Sequence, residues 1–163
     1  MAKITFQGQS EYFLKLQQLD QVFAKEETLE RAVHAGAAPV ADAIRSRLAS
    51  LPGDEFRHLQ PGEVFSGLPE DQKQDLLSGF GLSPISRDGK GFVSTKAGFD
   101  GYGTHPTKAY PNGVPNALIA RAVESGSSVR KKTPFVRPAV KATKDESISA
   151  MERVIDEECE KIF

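Results

Sequence analysis

The chain has no tryptophan, three tyrosines, two methionines and one cysteine in 163 residues. A lone Cys159 excludes an intramolecular disulfide and any zinc site built from several cysteines. So few tyrosines and no tryptophan leave a stacking platform for sugars or bases poorly supplied. Long apolar runs are missing too. Nothing approaches the roughly 20 apolar residues that span a bilayer, and the opening MAKITFQGQSEYF lacks the apolar core of a secretory leader. Nor does charge of one sign dominate. Twenty-one Lys and Arg against 22 Asp and Glu give a net charge of −1, which disfavours nucleic acid as a partner, because non-specific binding needs a basic footprint. These absences predict a protein of a reducing cytosol with no membrane partner.

Glycine and proline are present but unevenly placed. Residues 52–115 hold eleven of the fourteen Gly and seven of the ten Pro, so the ends are expected to be helical and the middle to be strands and loops. Ile4-Thr5-Phe6 alternates like a short strand. Ser10 is a suitable cap for a first helix with Tyr12, Leu16, Leu19 and Phe23 on one face. A stronger helix is predicted from about Thr28 to Leu51, its stripe being Leu29, Val33, Ala37, Val40, Ile44, Leu48 and Leu51. Pro39 inside it removes one backbone bond. Because the stripe keeps its phase, a kink is expected there rather than a fresh start. Pro69–Ser78 reads as a short helix ending at Gly79. Ser83–Ser86 and Gly91–Phe99 read as strands joined at Asp88-Gly89, with Phe92, Ser94, Lys96 and Val93, Thr95, Ala97 on opposite faces. Residues 101–115 form a loop, and Asn116–Glu124 fits helix or strand equally. A last helix begins near Pro138 with the stripe Ile148, Met151, Ile155, Cys159 and Ile162, and Thr143 with Glu146 has the spacing of a capping box. The expected fold is α+β: a small, mostly antiparallel sheet packed by long N-terminal and C-terminal helices, in one domain over 1–163 with flexible loops at about 53–68 and 101–115.

Chemistry-bearing residues do not converge. His34, His58 and His105 are far apart, with no ligand-spaced partner, and are expected at the surface. Gly101-Tyr102-Gly103-Thr104 lacks the Lys-Ser/Thr of a phosphate loop. Cys159 falls in an apolar stripe, as a packed thiol does. Asp156, Glu157, Glu158 and Glu160 are consecutive enough to spread around a helix and read as a solvated face. The basic concentration Arg130–Lys144 holds Arg130, Lys131, Lys132, Arg137, Lys141 and Lys144. It supports either a charged protein interface or, as the alternative, a nucleic-acid-binding module. No catalytic residue, metal or cofactor is predicted.

The most particular stretch is Ala122–Val140, AVESGSSVRKKTPFVRPAV. Gly126 suits a positive φ, and Pro134 and Pro138 bracket Phe135, Val136 and Arg137 in a stiff frame. Val123-Glu124-Ser125-Gly126-Ser127 followed by Thr133-Pro134-Phe135-Val136-Arg137-Pro138-Ala139 resembles the tailed-phage minor tail component, or head–tail joining (neck, tail-completion), family. Its members carry a Glu and a Gly, a short basic linker, a Pro-Phe-apolar-Arg-Pro-Ala box and an acidic C-terminal helix. The Ala-rich segment Ala37–Arg45 and the strand and Gly-rich turns of Gly91–Tyr102 also fit. Two departures are the extra short helix within Gly53–Gly81 and Ser127 where Thr is usual. The resemblance implies a non-enzymatic virion part, assembled in the bacterial cytoplasm and placed at the head–tail junction. Its partners would be further copies of itself in a ring, together with connector and tail-tube or tail-terminator proteins. Glu124, Gly126, Arg130, Lys131, Lys132, Phe135 and Arg137 are then the candidate assembly residues. Phe135 has two possible places, in the core or facing a neighbouring subunit.

Overall fold

In the computed structural model the described residues are 9–24, 26–53 and 60–162, with side chains described from Phe13 onward except at 22–26. The predicted Ile4–Phe6 strand and His58 lie outside them, as do the side chains of Tyr12 and Phe23. α1 spans Gln9–Ala24 and α2 Glu26–Ala49. α2 runs unbroken through Pro39, so no fresh helix starts there. Its stripe faces inward: Ile44 and Leu48 are fully buried, and Leu29, Val33, Ala37, Val40 and Leu51 are half-buried. α1 behaves otherwise. Leu16 is exposed, with Phe13 and Leu14 beside it, and Leu19 is half-buried. Ser10 lies inside α1 rather than capping it.

α5, Val136–Glu160, packs antiparallel along α2 in the most extensive contact of the fold. Arg31 Nη1 meets Glu158 Oε1 at 2.7 Å near one end. Lys161 also reaches that carboxylate, and the two cations hold Glu158 below the usual carboxylate range, Lys161 most. In the middle Ser147 Oγ donates to the Gly36 carbonyl at 2.6 Å. Of the predicted stripe of this helix, Met151, Ile155, Cys159 and Ile162 are half-buried, and Ile148 alone departs from it. Ile148 is exposed, whereas Ala139 and Thr143 are buried, and the covered ridge continues through Ser147 and Met151. Gly36, having no side chain, lets Ser147 and Met151 of α5 pack directly on α2, and that close approach sets the helix rotation that leaves Ile148 outside. Thr143 Oγ1 bonds back to the Ala139 carbonyl at 2.9 Å, so its predicted capping role is not used and the helix has no restart.

α3, Glu70–Gly79, is the short helix expected there, with Pro69 as its N-cap rather than its first residue. A long hairpin follows, and here too the prediction shifts. β1, Phe80–Leu82, pairs with β4, Ala97–Phe99, while β2, Ser86–Arg87, pairs with β3, Val93–Ser94. Pairing therefore starts at Phe80, not Ser83, and the expected single strand Gly91–Phe99 is split. In the inner ladder Phe80 faces Phe99, and in the outer one Ser86 faces Ser94. The partner numbers sum to 179 and then to 180, so the first arm carries one extra residue, as in a bulge. Pro84, which has no N–H for a ladder, sits at that break. The Asp88 carboxylate closes the turn by accepting the Lys90 and Phe92 amides at 2.8 and 2.9 Å. Of the two faces predicted, that of Phe92, Ser94 and Lys96 is exposed, and on the other Val93 and Thr95 are partly covered while Ala97 is exposed.

Residues 101–115 are irregular, as expected, yet tied down. Thr104 bonds the Asp75 carboxylate through its N–H and its hydroxyl, both at 2.7 Å, and the Asn116 amide donates to the Asp100 carbonyl at 2.8 Å. Asn116–Ser125 resolves as a helix, α4. One continuous core joins Ile44 and Leu48 to Leu68, Leu76, Phe80, Ile119, Val123, Phe135 and Ala139. The fold is α+β, a small antiparallel strand set with long helices at both ends.

Gly36 supplies a sign-bearing prediction. Gly→Ala inside a helix ordinarily stabilises by about 1 kcal/mol. At Gly36 the added Cβ would stand 2.5 Å from Met151 Cγ and 3.1 Å from the Ser147 carbonyl oxygen. Gly36→Ala is therefore expected to lower the melting temperature, and shortening Met151 to Ala in the same chain to recover part of the loss.

Candidate functional site

The seven candidate assembly residues lie on one short path, from the end of α4 through a turn into α5. α4 ends because Gly126 takes φ +80° while its N–H still reaches the Ala122 carbonyl at 2.9 Å. A Cβ there would be strained by that backbone, besides standing 3.2 Å from Lys132. The chain then turns tightly, Ser127 donating to the Arg130 carbonyl at 2.9 Å. Lys131 N–H reaches the Phe65 carbonyl at 2.8 Å, and Thr133 N–H returns to the Val123 carbonyl at 2.8 Å. The linker is thus stitched to the loop before α3 and to α4 itself.

Glu124 sits in the last turn of α4 and is buried. Its Oε2 accepts the N–H groups of Phe135 and Val136 at 2.7 and 2.8 Å, and its Oε1 accepts that of Arg137 at 3.1 Å. These are amides at the start of α5, which a helix leaves without internal partners. The positive end of the helix dipole meets a carboxylate at the same point. Phe135 itself makes no side-chain cap; a residue eleven positions upstream does the work. Arg137 Nε stands 3.8 Å from Glu124 Oε1, but the Arg137 side chain is 74 % exposed, so the backbone bonds matter more.

Phe135 is core. It is 1 % exposed and meets Phe99 edge-on with centroids 6.0 Å apart, while Phe99 packs on Phe80 at 5.1 Å. Of its two possible places, the one facing a neighbour is excluded. Arg130 also corrects expectation, being buried rather than part of a basic surface. Its guanidinium donates to the Gly67 carbonyl at 2.7 Å and to Gln72 Oε1 at 2.9 Å, and lies 5.9 Å from the Phe65 ring centre. These partners were invisible from the linker's own sequence, since nothing local marks Gly67 or Gln72. Lys131, Lys132 and Arg137 are exposed, as are Lys141 and Lys144. The seven candidates therefore divide: Glu124, Gly126, Arg130 and Phe135 hold the domain together, and three cations face outward.

Elsewhere the chemistry stays dispersed. His34 is exposed and His105 pairs with Asp71 on the surface. Cys159 is half-buried. Among the described residues no group of three or more His, Cys, Asp or Glu is placed to hold a metal ion, and no helix is long and apolar enough to cross a membrane. Comparison with protein-family models, curated proteins and solved structures found no match.

Two substitutions test the joint. Glu124→Ala is expected to cost about 2–4 kcal/mol, a lost cap together with buried donors left unsatisfied. Phe135→Ala is expected to cost about 3–5 kcal/mol. Urea denaturation of each variant reads both, and near-wild-type stability for Phe135→Ala would show that the ring is not core.

Proposed function

We propose that the chain is a structural part of a tailed-phage virion, joining the head connector to the tail or completing the tail. It acts as an assembled oligomer and makes or breaks no bond. The observation that carries this reading is the Glu124 joint. The residues on which the family resemblance rests, Glu124, Gly126 and Phe135, are those that lock α4 to α5. A motif whose positions set how one helix leaves a domain suits a part that must present that helix to neighbours at a defined angle. In this reading the protein gathers in the bacterial cytoplasm during assembly and ends at the head–tail junction. Other copies, the connector and tail-tube or tail-terminator proteins are its partners.

The five exposed cations Lys131, Lys132, Arg137, Lys141 and Lys144 favour a second reading, a nucleic-acid-binding module. It is the weaker one, because Arg130 is turned inward and the chain as a whole carries net charge −1. The two readings part in experiment. Particles made without this gene are expected to accumulate as separate heads and tails; normal, firmly joined tails would overturn the virion role. Duplex DNA affinity that falls with salt and is lost in Lys131→Glu/Lys132→Glu would support the alternative.

A further inference from the structure

α5 is charged against its own dipole. A helix favours acids in its first turns and bases in its last. α5 has no acid in its first turn and no base in its last. Arg137, Lys141 and Lys144 occupy the early turns, and Glu152, Asp156 and Glu160 stand exposed toward the end. The last three are spaced by four residues, so each neighbouring pair repels along one ridge. Among the described residues none of Lys141, Lys144, Glu152, Asp156 and Glu160 makes an ion pair; Arg153 interrupts the acidic half without making one either. On the same ridge Val140 and Ile148 are 46 % and 39 % exposed. Steps of four wind slowly around a helix, so the part of this ridge that shares one face is Lys144, Ile148, Glu152 and Asp156, basic and apolar first and acidic after. Reversing a second copy beside it sets the Lys144 of one against the Asp156 of the other.

We propose that this ridge is a self-association surface, on which α5 packs antiparallel against α5 of a second copy of the chain. Centred near Ala150, the arrangement sets Lys144 of each copy against Asp156 of the other and brings both Ile148 side chains close to the axis. The contact is isologous, so each charge pair forms twice. Nucleic acid is the other occupant the basic half alone would suit, but it would leave the acidic half repelled. The surface rests on charge and exposure and does not depend on the virion reading.

The test is sedimentation of the purified full chain at low and high salt, about 20 mM and about 0.5 M, where the Debye length shortens several-fold. Wild type is expected to self-associate at low salt and to dissociate at high salt. Lys141→Glu/Lys144→Glu and Glu152→Lys/Asp156→Lys should each weaken association at least about tenfold, the effect of about 1.4 kcal/mol. Mixing the two variants, or combining all four reversals in one chain, should restore it. A wild-type chain monomeric at low salt, association indifferent to either reversal, or duplex DNA binding lost with the lysines in place of self-association would each overturn the pairing. None of these outcomes decides whether particles lacking the gene keep their tails, so the two failures are distinguishable.

Discussion

The structure depends on one carboxylate. Glu124 accepts three backbone amides at the start of α5, and in doing so joins two consecutive helices across the ten-residue linker between them. A side chain reaching from another helix has to be buried to do this, and a buried charge is costly unless hydrogen-bonded. Three amides and the helix dipole meet that cost together. The carboxylate thus binds α4 to α5 with a directionality that apolar packing lacks. Gly126 and the stitched turn after it keep the intervening residues short enough for the two partners to meet.

Phe135 completes the joint from the other side. Its amide is held by Glu124 and its ring by Phe99, so the same residue is tied to α4 through backbone and to the hairpin through side chain. Phe99 and Phe80 then carry the contact to Arg45 of α2, whose guanidinium lies 5.5 Å from the Phe80 ring centre. Arg130 makes a parallel link to the loop before α3 and to Gln72 of α3. The linker between α4 and α5, polar in composition, is one of the most heavily bonded segments outside the helices.

Much of this was legible in the sequence, and the parts that were not share a cause. α2 and α3 follow from a regular apolar period and from proline and glycine at their ends, all local signals. The turn at Asp88-Gly89 was equally local. The register of the hairpin was not, because it depends on where Pro84 interrupts pairing and on Phe80 meeting Phe99 across the whole hairpin. On α5 only Ile148 departs from the expected stripe, because the close packing of Ser147 and Met151 on Gly36 turns it outward. Arg130 looked like surface because arginines usually are. Its partners are 63 and 58 residues away, beyond any pattern a short motif can show. The box around Phe135 was recognisable as a motif, but that its Glu caps the following helix is a tertiary fact.

The joint also explains how α5 tolerates its charge arrangement. Arg137 stands in the first turn, where the dipole is positive, a placement that weakens an isolated helix, and Lys141 and Lys144 follow it. Glu124 offsets that field from inside the domain, leaving the solvent side free to carry cations. At the far end Arg31 and Lys161 do the converse for Glu158, whereas Asp156 and Glu160 on the outer ridge receive no such help. The bonds at the first turn, with Ser147 held to Gly36 midway, also fix the rotation of α5 about its own axis. Apolar burial alone, being non-directional, would let the helix roll toward covering Ile148. Held as it is, the helix keeps one ridge of unmatched charge and half-exposed apolar groups pointing outward at a set angle. Stability inside and complementarity outside are consequently set by the same buried carboxylate.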